Sequence, residues 1–173
     1  MVLFIKTVVF YLATIALSVS ASVDLDVQSL AVDVRSVNEE VSYYDGSIGS
    51  YTLIDAGFTT VHNGTQKAIA DTIVLVPSGP SELHEIVQLI SQSLRLYIVR
   101  LTEDLKPKKA DFASNGLLWT VIARLEVMKN DFQAFEKVLS EKPSDEESLP
   151  RMIEAAFNSI NSAVIAAIDF LAN

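Results

Sequence analysis

Cysteine is absent from all 173 residues, which removes disulfides, thiolate nucleophiles and cysteine-ligated metals together. Histidine occurs twice. His84-Glu85 opens like the H-E-x-x-H zinc helix, but Gln88 stands at the second ligand position, and one imidazole does not make a zinc site. His62 stands alone and reads as a partly solvated helix residue. No Gly-x-Ser-x-Gly elbow occurs, and Gly46-Ser47-Ile48-Gly49 lacks the Lys-Ser/Thr that completes a phosphate loop. Basic residues are also few: 13 Lys and Arg face 22 Asp and Glu, a net charge of −9 that repels nucleic acid and anionic membrane surfaces. No catalytic residue, metal or cofactor is expected, and the reading is non-enzymatic. Five prolines and six glycines leave little to interrupt long elements.

What is present begins with a leader. Lys6 precedes an apolar run, Thr7–Leu17, and Ser18-Val19-Ser20-Ala21 supplies a small-residue exit, so a cut after Ala21 is expected. The run is short for a membrane span, which takes about 20 apolar residues. Residues 1–21 are read as a signal peptide and 22–173 as one exported domain. Losing Lys6 takes the exported chain from −9 to −10.

The exported chain reads as helix after helix. Val23, Val27, Leu30, Val34, Val37, Val41 and Tyr44 form an apolar seam with alternating steps of four and three, ended by Asp45-Gly46-Ser47-Ile48-Gly49-Ser50 with two glycines available for positive φ. A second helix is predicted over 51–76, with Asn63-Gly64 as a point of fraying. Pro77-Ser78-Gly79-Pro80 is a loop, with Ser81 as the N-cap of a third helix that stops before Pro107. A fourth runs from Leu118 to Leu139. A fifth follows the acidic Ser144-Asp145-Glu146-Glu147 and uses Leu149, Ile153, Phe157, Ile160, Val164, Ala167 and Leu171. No stretch alternates with period two without a better helical reading. The fold class is all-α, an antiparallel bundle of about five helices.

Large residues fill the seams of helices one, three and four, whereas helices two and five carry Thr65, Ala68, Thr72, Ala156, Ala163 and Ala167. Small seam residues either let helices approach closely or leave a hollow for an apolar ligand. A fatty-acid-like ligand in such a hollow would be lined by Val61, Thr65, Thr72, Leu94, Tyr97, Leu125, Phe132, Phe157, Ala163 and Ala167, with its carboxylate near solvent or beside Thr65, Thr72 or Tyr97. The five arginines of the exported part lie mainly off the seams, against a chorismate-mutase-like dicarboxylate site. Lys106-Pro107-Lys108-Lys109 reads as a solvated basic turn. Asn63-Gly64-Thr65 is a glycosylation sequon on the side opposite Val61.

The leader, followed by Val27-x2-Leu30-x2-Asp33-Val34-x2-Val37-x6-Tyr44-Asp45-Gly46, resembles the start of the fungal hydrophobic surface-binding protein A family, which includes the cell-wall galactomannoproteins. The segment Leu101–Phe112, then Gly116, Val121, Leu125, Phe132 and Leu139, is similar to that family's middle. The resemblance implies an all-helical, secreted or wall-associated protein that binds lipids or hydrophobic surfaces. Some members hold fatty acids between helices, and some recruit a secreted esterase to a hydrophobic solid. The alternative is a secreted interaction module, an effector or hydrolase adaptor, with a fully packed core. The chain lacks the Ser/Thr-rich tail of longer members, and Asp169 interrupts its apolar end, so a covalent anchor is not expected.

Overall fold

The computed structural model describes residues 2–77, 80–144 and 146–173, with side chains at 23–77, 81–144 and 146–173. The leader with its cut after Ala21, Ser78-Gly79 and Asp145 lie outside the residues whose side chains are described. In chain order the helices are α1 (Val2–Tyr43), α2 (Ile48–Val74), α3 (Pro80–Leu89), α4 (Arg95–Leu105), α5 (Lys109–Ser114), α6 (Leu118–Ser140) and α7 (Leu149–Ala172). A π turn, Ile90–Leu94, joins α3 to α4 in one continuous third rod, and a 3-10 turn, Lys106–Lys108, leads into α5. Five rods therefore make up the bundle, with no strand among the described residues.

The seams explain the helices. All six valine and leucine positions of the α1 seam are fully buried, with Tyr44 at 3% exposure. The α7 stripe from Leu149 to Leu171 is buried as well. α7 is long and apolar enough to cross a membrane, and here it faces the core of the bundle. α2 is capped by Ser47, whose hydroxyl accepts from the Ser50 amide at 3.1 Å. Gly46 (φ +84°) and Gly116 (φ +70°) take the left-handed conformation that turns the chain after α1 and α5.

The rods close into a ring in the order α1, α2, α6, α7, third rod, and back to α1. α1 and α2 run antiparallel: the missing side chain of Gly57 faces Val37, and that of Gly64 faces Leu30 and Asp33. α2 and α6 run parallel. Asp55–Arg124, His62–Asp131 and Ile73–Lys142 are tied at a constant separation of 69 residues. The connections on either side of the third rod therefore cross the two ends of the ring. At one end Phe112 of α5 is fully buried, stacked on Tyr44 with ring centroids 4.6 Å apart and set edge-on to Tyr51 at 6.3 Å. The basic turn is part of this end: Lys108 donates to the Tyr44 carbonyl at 2.8 Å and Lys109 to the Phe170 carbonyl at 2.9 Å. Lys142 does the same at the other end, reaching the carbonyls of Ile73 and Leu75.

Several expectations are corrected. α2 runs unbroken through Asn63-Gly64 and ends at Val74, so Leu75 is buried while Val76 is exposed. Of the two loop glycines only Gly46 has positive φ; Gly49 lies inside α2. Ser81 is within α3, which opens at Pro80, so it is not the cap. The lysine turn is not merely solvated, because two of its ammonium groups hold helix ends. Ile98, rather than Tyr97, continues the buried seam of the third rod, since the π turn adds a residue and advances the register.

Candidate functional site

The interior of the ring is one continuous apolar cluster built from all five rods. Val61, Leu94, Leu125, Phe132, Phe157 and Ala167 belong to it, and Tyr97 is half-buried against it. Thr65 and Thr72 are fully buried, while Ala163 lies half-exposed on α7. Phe157 meets Phe135 edge to face at 5.6 Å across the α6–α7 seam. The two threonines donate within α2, Thr65 to the Val61 carbonyl at 2.8 Å and Thr72 to the Ala68 carbonyl at 2.6 Å. A carboxylate only accepts hydrogen bonds, so neither hydroxyl has a proton to offer it in this arrangement. The small residues of α2 bring α1 close: a Cβ on Gly57 would sit 2.6 Å from Val37 Cγ2.

A polar ladder runs between α2 and α6. Arg124 grips Asp55 with two nitrogens, at 2.7 and 2.9 Å, a fork-on-carboxylate geometry that favours the charged guanidinium. Two turns further along, the nearly buried Asp131 is held by His62 Nδ1 at 2.7 Å and by the Gln66 amide at 2.8 Å. The expectation that His62 is isolated is thus overturned: its partner lies 69 residues away on another helix, where sequence spacing gives no signal. His84 stands 3.5 Å from Glu146 and has no second metal-binding neighbour; no cluster of three metal-ligating side chains occurs among the described residues.

Among the described residues, the outside of the ring carries two clefts of similar volume. One, of about 280 Å³ between α1 and α3, is lined by Asp24, Gln28, Glu85, Gln88, Leu89 and Gln92. Burial first, then Glu85 and Glu82, push the Asp24 carboxyl above its ordinary range, so this cleft is acidic and crowded with like charge. The second, of about 300 Å³, lies between the π turn and α7 and is lined by Ser91, Arg95, Met152, Ala155, Ala156 and Ser159. Its surface is mostly methyl and methylene. Sequence reasoning did not single out this set of residues. The signals were the adjacent alanines and an arginine directly after the Leu94 seam position, and the π turn that juxtaposes them leaves no mark in the apolar periodicity. Asn63 is exposed on the outer face of α2, whereas Thr65 of its sequon is buried.

The fold is shared with solved fungal proteins. It is similar to the crystal structure of Afmp4p in complex with palmitic acid, with a TM-score of 0.83 and 16% identity, covering 88% of this chain and 99% of that one. It is also similar to ligand-binding domain 1 of the Penicillium marneffei MP1 protein complexed with arachidonic acids (TM-score 0.78, 15% identity, 90% and 98% covered). Domain 2 of the same protein, complexed with multiple arachidonic acids, gives a TM-score of 0.77 at 19% identity, with 91% and 96% covered. No curated protein sequence matches the chain significantly. The sequence model of hydrophobic surface binding protein A matches residues 20–141, from the start of the α1 seam to the end of α6. With that match spanning most of the chain, the protein belongs to the hydrophobic surface binding protein A family.

Proposed function

We propose that the protein is a secreted, non-enzymatic binder of fatty-acid-like lipids, which it takes up tail first between the helices of the ring. The observation that carries this reading is the apolar interior: five rods enclose a core lined by Leu94, Leu125, Phe132 and Phe157, in a fold also seen bound to palmitic and arachidonic acids. Burial of the tail supplies the driving force. At about 0.8 kcal/mol per CH₂, affinity rises roughly fourfold for each added carbon until the interior is full. Because Leu94, Leu125, Phe132 and Phe157 are fully buried, uptake requires side chains to repack and one seam to part. Export and a glycan on Asn63 complete the reading. A role in recruiting a secreted esterase to an apolar solid is the surface-bound form of the same function.

Protein purified from a secreting host should show, by native mass spectrometry, the mass of a chain beginning at Ser22, a glycan, and a co-purified lipid. Titration with fatty acids of increasing length should give the stepwise gain in affinity, and Ala167→Phe, at a fully buried position, should weaken it while leaving helix content intact. Absence of binding at every chain length would defeat the lipid reading in favour of a packed interaction module.

A further inference from the structure

The cleft between the π turn and α7 has the chemistry of a carboxylate anchor. Ser91 and Arg95 stand on one wall, and Met152, Ala155, Ala156 and Ser159 on the other. A π turn is a rare interruption of an α-helix and is frequent at functional sites. Here it sets Arg95 at the mouth of the cleft, with Leu94 immediately before it fully buried in the core. Alanines and a serine on α7 leave the space, and Met152 can reshape to fit a chain.

Arg95 differs from the other arginines. Arg35, Arg100 and Arg124 are each paired with a carboxylate, and Arg151 is exposed. Arg95 is half-buried, and among the described residues it forms no ion pair, although acidic side chains outnumber basic ones by 22 to 13. Its Nε donates to the Ser91 carbonyl at 3.0 Å, which fixes the plane of the guanidinium and leaves its terminal nitrogens as donors. A planar fork with no anion, at the rim of an apolar cleft, matches the head of a fatty acid. The other cleft, lined by Asp24 and Glu85, would repel that head.

We propose that Arg95 binds the carboxylate of an ionised fatty acid, whose tail enters the bundle through the seam between the π turn and α7. This rests on the lipid reading above and assigns its head-group site and its portal.

The test compares palmitic acid with its methyl ester, which has the same tail and no charge. Wild type should bind the acid at least about tenfold more tightly than the ester, as a charge-assisted hydrogen bond implies. Arg95→Gln should erase that preference while leaving ester affinity unchanged, and Arg95→Lys should retain part of it. Ser159→Leu, which fills the cleft and keeps the arginine, should weaken acid and ester alike. An acid preference that survives Arg95→Gln, or equal binding of both probes by wild type, overturns the anchor and leaves the lipid reading standing. Unchanged affinity in Ser159→Leu overturns the portal. Failure of wild type to bind either probe removes the lipid reading and this inference with it.

Discussion

Asp45 and Asp33 shift in opposite directions for opposite reasons. The Asp45 carboxylate accepts from the Ser50 hydroxyl at 2.7 Å and the Ser47 amide at 2.9 Å, which lower its pKa to about 2 from 3.8. A lowered folded value means stability that is complete above the unfolded value and disappears as pH falls toward 2. Asp45→Ala should therefore melt below wild type at neutral pH, with the two curves converging near pH 2. Asp33 lies against Gly64 on α2, and burial raises its pKa. Its raised value means stability is greatest below 3.8 and is lost as pH climbs through the folded pKa. Asp33→Asn should melt above wild type at neutral pH and match it in acid. Circular-dichroism melts from acid to neutral pH read both, and parallel curves for either variant would contradict the assignment.

Helix α2 allows one substitution to be compared at two sites. Replacing glycine by alanine inside a helix gains about 1 kcal/mol from propensity alone. At Gly49 the new methyl would meet nothing nearer than Ser47 Oγ at 3.9 Å, so Gly49→Ala should stabilise by about 0.5–1 kcal/mol. At Gly57 it would meet Val37 Cγ2 at 2.6 Å, on a fully buried β-branched side chain with little rotamer freedom. Overpacking costs about 1–3 kcal/mol, so Gly57→Ala should be destabilising by up to about 2 kcal/mol net. Urea midpoints of the two variants, moving to opposite sides of wild type, are the check. The same helices show what the sequence could reveal. The seam of α1, and the positions from Tyr51 to Thr72 in α2, are periodic enough for spacing alone to identify the buried face. Periodicity says that a face is buried and not which neighbour covers it, so the His62–Asp131 pair and the placement of Arg95 against α7 leave no trace in it. Tyr97 and Ile98 are both apolar, so spacing alone does not decide that Ile98 is the one that turns inward.

The whole molecule holds together without covalent cross-links, since the chain has no cysteine. Reducing agent should leave its thermal midpoint unchanged, whereas Leu125→Ala and Phe132→Ala, both at fully buried positions, should each cost about 2–5 kcal/mol in chemical denaturation. Near-neutral values would mean that these seams are not the core. The ring order has a consequence of parity. A closed ring with an odd number of rods cannot alternate up and down throughout, so at least one pair of neighbours must point the same way. This ring has three such pairs: α2 with α6, α1 with the third rod, and the third rod with α7. The last two pairs gather the C-terminal ends of α1, α4 and α7 at one pole, where only the N-terminal ends of α2 and α6 oppose them, so one helix macrodipole, about half a negative charge, is left over there. The 106–109 turn delivers two ammonium groups, those of Lys108 and Lys109, to carbonyls at that pole, while Lys106 pairs with Glu103. In a bundle of even number and strict alternation the dipoles would cancel between neighbours. Here the lysines neutralise what the geometry of five leaves uncancelled.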